Sequence, residues 1–121
     1  MKLELNSKEP IYIQIENYIK MKIISGELKR GERLLSVRDY AAKLRVNPNT
    51  ISRVYSDLES ENLIITQRGI GKFVTENTDV INNLHYNLSR SVIKEFVIKS
   101  KDLGLSKNQL FELLTEMYEE V

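Results

Sequence analysis

Cysteine and tryptophan are both missing from this chain of 121 residues, which has only two prolines and five glycines. Without a thiol it can form neither a disulfide nor a thiolate metal site, which accords with a reducing compartment. No apolar run approaches the roughly 18 residues that a membrane span needs. The opening MKLELNSKEP also lacks the hydrophobic segment of a secretory signal, so a cytoplasmic protein is expected and no membrane partner. There is one histidine, His85, with no cluster of histidines and acidic residues, and no glycine-rich loop precedes a Lys-Ser/Thr pair. Metal and nucleotide sites are therefore not expected, nor are enzymatic activity and a cofactor. His85 sits on a helical stripe, where a packed or surface role is the ordinary one.

What is present is a globular composition: 41% hydrophobic residues, 29% charged, and a formal net charge of +1. The near-neutral total hides a basic island. Residues 29–72 hold nine basic groups (Lys29, Arg30, Arg33, Arg38, Lys43, Arg45, Arg53, Arg68, Lys72) against five acidic ones (Glu32, Asp39, Asp57, Glu59, Glu61), whereas residues 73–121 hold five against eight. Such a local surplus suits a polyanionic partner, although a merely solvated basic face would look the same by charge alone.

Apolar residues at Ile11, Ile15, Tyr18, Ile19 and Ile23 recur at helical spacing after Pro10, predicting a first helix that stops at Ser25-Gly26. GELKRGERL has two glycines and no periodicity, and is expected to be a loop. A second helix, capped by Ser36, should run to Leu44 with Val37, Tyr40, Ala41 and Leu44 on one face. Asn47 is a good N-cap and Pro48 suits the first helical position, so a third helix begins almost at once. Two helices joined so tightly predict a helix-turn-helix. Ile51, Val54, Tyr55 and Leu58 should face the core. LIITQ and KFVT, on either side of RGIG, predict a hairpin. The fold class expected is mainly α with a small β-hairpin: a winged helix-turn-helix domain over 1–76, followed by a helical dimerisation region over 77–121. In that region Ile81, Leu84, Leu88, Val92 and Phe96 form one stripe that ends at Leu103-Gly104. Ser106 and Gln109 form a capping box for a final amphipathic helix.

The third helix would leave Asn49, Thr50, Ser52, Arg53 and Ser56 outside, with no carboxylate before Asp57. Helix N-termini attract phosphate, and short hydrogen-bonding side chains with one arginine suit base edges in a major groove about 12 Å wide. This face is therefore the candidate recognition surface of a double-stranded DNA binder. Capping chemistry alone also accounts for Asn47 and Pro48, and Arg38 could instead pair with Asp39 or a glutamate. Arg68 and Lys72 flank the glycines of the wing at 66–73, which would bring backbone and charge near a phosphate or the minor groove.

From Pro10 to Val74 the chain resembles the DNA-binding domain of the GntR family of bacterial transcription regulators. The matching motifs are the PIY-x-QI opening, G-x-L-x-x-G-x-x-L, S-x-R at the start of the second helix, VNPNT, Y-x-x-LE, and G-x-G-x-FV in the wing. The resemblance implies that Ser36, Arg38, Asn47, Asn49, Thr50, Arg53, Gly69 and Lys72 lie at the DNA surface. Two positions depart from the family pattern: Leu35 replaces the usual proline before Ser36, and Asn62 replaces a glycine. The short remainder is similar to the YtrA-like branch, and that resemblance implies a regulator that often acts as a repressor. Two helices with one long apolar stripe bury it best against a second copy, which predicts a pseudo-palindromic operator. Packing of that stripe onto the winged domain is the other possibility. Two functional alternatives also stand: a winged-helix protein-interaction module, and a regulator with an effector pocket at the dimer interface lined by Tyr86, Phe96, Phe111 and Tyr118.

Overall fold

A computed structural model describes residues 2–121, in the order α1 (Ile11–Ser25), α2 (Val37–Leu44), α3 (Pro48–Ser60), β1 (Ile64–Gln67), β2 (Gly71–Val74), α4 (Thr78–Asp102), α5 (Lys107–Tyr118). Two units are distinguished, one running to His85 and the other from Tyr86 to Val121.

The core of the first unit is the apolar stripes of its helices, closed by the hairpin. Ile15, Ile19 and Ile23 recur every four residues along α1, and with Ile51, Val54, Tyr55 and Leu58 of α3 they are almost wholly removed from solvent. Each such side chain contributes about 1.5–3 kcal/mol of hydrophobic stabilisation. Tyr40 and Ala41 of α2, then Leu63, Ile64 and Val74, complete the cluster. Tyr40 and Tyr55 stack with ring centroids 6.1 Å apart, and burial raises both hydroxyls, Tyr40 to about 12.

Local chemistry sets the helix starts as the sequence predicts. Ser36 Oγ accepts from the Asp39 amide at 3.1 Å, and Asn47 Oδ1 accepts from the Asn49 amide at 2.8 Å. At the ends of α2 and α3 the chain closes in the same way, with a left-handed residue and paired 6→1 and 5→2 bonds. After α2 that residue is Arg45 (φ 57°), whose turn is closed by Val46 N to Ala41 O. After α3 it is Asn62 (φ 64°), with Leu63 N to Leu58 O. Asn62 thus takes the conformation a glycine would supply. Arg45 does so without glycine's freedom, at about 1–2 kcal/mol, because only a left-handed residue turns the chain tightly enough between α2 and α3. Where the family has proline, Leu35 offers its carbonyl to the Tyr55 hydroxyl at 2.8 Å, which ties the approach to α2 onto α3.

The hairpin is antiparallel, with Ile64 opposite Val74 and Gln67 opposite Gly71. GELKRGERL is a loop, as expected, but its end is pinned by hydrogen bonds. Residues 31–34 lie along the outer edge of β2. Gly31 donates to Val74 O at 2.9 Å, Val74 to Glu32 O at 2.9 Å and Leu34 to Lys72 O at 2.8 Å, and Arg33 bridges Phe73. With no period or β-branched residue to mark it, this pairing comes entirely from β2.

Val80, Ile81 and Leu84, at the start of α4, pack against the core of the first unit, and His85 is exposed. In the second unit Ser106 and Gln109 form the capping box, with bonds of 3.2 and 2.8 Å. Between Tyr86 and Val121 only Ser100 is buried, while Val92, Ile93, Phe96, Phe111, Leu114 and Met117 are exposed. Among the described residues no helix is long and apolar enough to cross a membrane.

Candidate nucleic-acid interface

The first turns of α3 present side chains more than amides. Pro48 has no N–H, the Asn49 amide is held by Asn47 Oδ1, and the Thr50 amide bonds the Asn47 carbonyl at 2.9 Å. What this helix start offers is therefore an exposed row of Asn49, Ser52, Arg53 and Ser56, with Thr50 half-buried.

Arg53 is aimed by its neighbours. Its guanidinium lies 3.6 Å from the Tyr12 ring centroid, and its Nε is 3.9 Å from Asp57 Oδ2 one turn on. A guanidinium stacked on a ring loses little freedom on binding and keeps its edge donors for a ligand. The side chain remains 58% exposed. Sequence reasoning passed over Tyr12 as a site residue, and its only signal was the PIY opening.

Arg38 stands exposed in the first turn of α2, and among the described residues neither Asp39 nor a glutamate pairs with it. The Ser36 oxygen is engaged as the cap, which leaves its proton to donate outward. A cleft of about 500 Å³ separates the start of α2 from β2 and is lined by Ser36, Val37, Asp39, Gly71 and Lys72, with Arg33 and Leu34. At the hairpin tip Ile70 N bonds Gln67 O at 2.9 Å, Gly69 has φ 78°, and Arg68 is exposed.

Lys72 is placed differently from the other cations. Its ammonium donates to Glu59 Oε1 and, at 2.9 Å, to Thr66 Oγ1, while the Thr66 hydroxyl donates to the same carboxylate oxygen. The Lys72 bond, then that of Thr66, holds the Glu59 carboxyl below its ordinary range. The network ties the hairpin to α3 and neutralises most of the charge that Lys72 brings.

Glu16 of α1 faces Asp57 of α3, carboxyl to carboxyl. Glu16 Oε1 is buried, and among the described residues no donor group reaches it. Burial first, then the hydrogen bond and charge of Asp57, push the Glu16 carboxyl up to about 7. Among the described residues no group of histidine and acidic side chains could hold a metal ion.

In the second unit a cavity of about 720 Å³ is lined by Phe96, Leu103, Leu110, Met117 and Tyr118 among others, and one of about 430 Å³ by Val92, Phe96, Leu110 and Phe111 among others. Of the four aromatic residues considered for an effector pocket, Phe96, Phe111 and Tyr118 line one or both, and Tyr86 lines neither.

Comparison with known proteins gives this geometry its setting. The HTH-type transcriptional regulator YhcF of Bacillus subtilis (strain 168) is 39% identical over 109 residues, 90% of each chain. The HTH-type transcriptional repressor YtrA of the same organism is 32% identical over 123 residues, covering 100% of this chain and 94% of its own. A GntR family transcriptional regulator from Listeria monocytogenes superposes with a TM-score of 0.88 at 37% identity, covering 93% of this chain and 98% of that one. These relatives are transcription regulators, not enzymes. Residues 11–74, more than half of the chain, match the bacterial regulatory proteins of the gntR family, and the chain is a member of that family of DNA-binding transcription regulators.

Proposed function

We propose that this regulator acts in the cytoplasm as a two-fold homodimer that represses transcription from a pseudo-palindromic operator. In this reading residues 1–76 bind DNA and residues 77–121 pair the copies. Ser36, Arg38, Asn47, Asn49, Thr50, Arg53, Arg68, Gly69 and Lys72 form the DNA surface. The α3 side chains read base edges, Arg53 is held ready on Tyr12, and Arg38, Ser36 and the wing grip phosphate. Lys72 joins them only by leaving Glu59. Asn47 acts by setting the start of α3.

The observation that carries this reading is the carboxylate-free, exposed row Asn49, Ser52 and Arg53 on a helix whose opposite face is wholly buried. The partial exposure of most apolar side chains from Tyr86 onward supports a second copy as the partner. The name of YtrA supports repression.

A salt titration tests it. A duplex recovered from a random-sequence pool by the purified protein should lose affinity log-linearly with salt, with a slope near −0.9 per phosphate neutralised. Salt-independent binding would indicate the protein-interaction alternative.

A further inference from the structure

The wing tip is a three-residue connection, 68–70, that projects into solvent. A loop of this kind, held only by its own turn bond, samples many orientations, and binding DNA would have to order it. Among the described residues one side chain restrains it. Arg33 Nη2 donates to the Ile70 carbonyl at 2.7 Å. The lever is itself anchored, because Arg33 bridges Phe73 and the flanking backbone of residues 31–34 pairs with β2. A guanidinium bonded to a carbonyl in this way makes a charge-assisted contact that a neutral side chain does not replace.

The seat for that guanidinium is Gly71. A Cβ built there would lie 2.9 Å from Arg33 Nε and 3.3 Å from Cζ and Nη2, too close for both to remain. Gly71 also has φ 154°. Glycine at 71 is therefore required twice over, by a φ that strains any other residue and by the bare strip of backbone over which the arginine reaches the tip.

We infer that Arg33 is a positioning residue of the wing, which it holds in its DNA-binding orientation by gripping the Ile70 carbonyl across the bare face of Gly71. This rests on the reading that the wing meets DNA. Arg33 acts through the presentation of Arg68 and Gly69 and need not touch the duplex itself. Because its side chain is exposed, replacing it removes nothing from the core.

The test uses the full chain and the duplex it selects from a random-sequence pool. Arg33→Met removes the grip, Gly71→Ala displaces the guanidinium and also strains the backbone, and the double variant does both. Arg33→Met should weaken binding roughly five- to tenfold, the scale of ordering one loop on association, and Gly71→Ala by at least as much. The double variant should be no more than about twofold worse than Gly71→Ala alone. Hydroxyl-radical protection flanking the site should fade, while guanine N7 protection in the major groove stays. In the free protein, the Gly69 and Ile70 amide order parameters should fall from about 0.85 to below 0.6. Multiplying effects, unchanged order parameters, or intact flanking protection in Arg33→Met would each overturn the positioning role. So would full rescue of affinity by Arg33→Lys while the Ile70 amide order parameter stays below about 0.6, since that would make Arg33 a phosphate contact. If the wild-type protein protects no flanking positions, or Arg68→Ala leaves them unchanged, the wing's place on DNA is wrong and this inference falls with it.

Discussion

The two units bury their apolar residues to very different degrees. Among the described residues the first removes twelve hydrophobic side chains from solvent, and the second, with comparable apolar content, buries only a serine. A helical pair whose Phe111 is 57% exposed and whose Ile93 is 58% exposed has amphipathic sequence without the surface to satisfy it. The first unit packs its own core, whereas the second leaves its apolar stripe uncovered within this chain. In the proposed reading one unit presents a fixed polar face and the other is covered by a second copy.

Truncation after His85 breaks the comparison most severely. Val80, Ile81 and Leu84 stay with the core, so the fragment should fold as a monomer and lose operator affinity by about 10²-fold or more through lost bivalency. Light scattering and gel shift check this, and a dimeric fragment would contradict the proposed pairing. Next in size is Leu58→Ala against Phe111→Ala. The first should destabilise the winged unit by roughly 2–5 kcal/mol in denaturant melts. The second should leave that transition in place and instead raise the dimer dissociation constant in sedimentation experiments.

Within the first unit, the cations should divide by how far their charge is already neutralised. Arg53→Ala should weaken operator binding by about 1–3 kcal/mol. Lys72→Ala should cost less, and Glu59→Gln, which releases Lys72, should tighten binding and steepen the salt slope. Equal losses for both alanine variants would mean that the Lys72–Glu59 pair opens freely.

The smallest effect concerns Glu16. Its carboxyl is raised to about 7, so the folded state favours the protonated form. The penalty on the charged form is present above pH 7 and disappears as pH falls toward the ordinary carboxylate range. Glu16→Gln should therefore stabilise the protein at pH 8 by on the order of 1 kcal/mol, allowing for solvent screening, and have little effect at pH 5. Thermal melts at the two values decide it.

Much of the architecture is legible from neighbouring residues alone. Ser36, Asn47 and Ser106 with Gln109 start helices because their side chains reach amides two or three positions away, and Pro48 because its fixed φ suits the first turn. Gly26 and Gly104 end helices by taking φ 80° and 77°. The hairpin follows from two β-prone runs around glycine. Arg45 carries no such signature, since its left-handed turn is imposed by the packing of α2 against α3. The surface row from Asn49 to Ser56 is likewise legible, being what remains when the buried stripe is subtracted.

By itself, then, the sequence determined where the capped helices begin and where α1 and α4 end, which face of each is apolar, and where basic charge gathers. All of these depend on chemistry within a few residues. Tertiary structure alone decided what those charges do. It put Tyr12 under Arg53, Glu59 against Lys72, Asp57 beside Glu16 and the Ile70 carbonyl within reach of Arg33, and it laid residues 31–34 along β2. Each of these pairs joins positions far apart in the chain, or on separate elements, and a charge acquires its partner, and therefore its availability to DNA, only when packing brings those elements together.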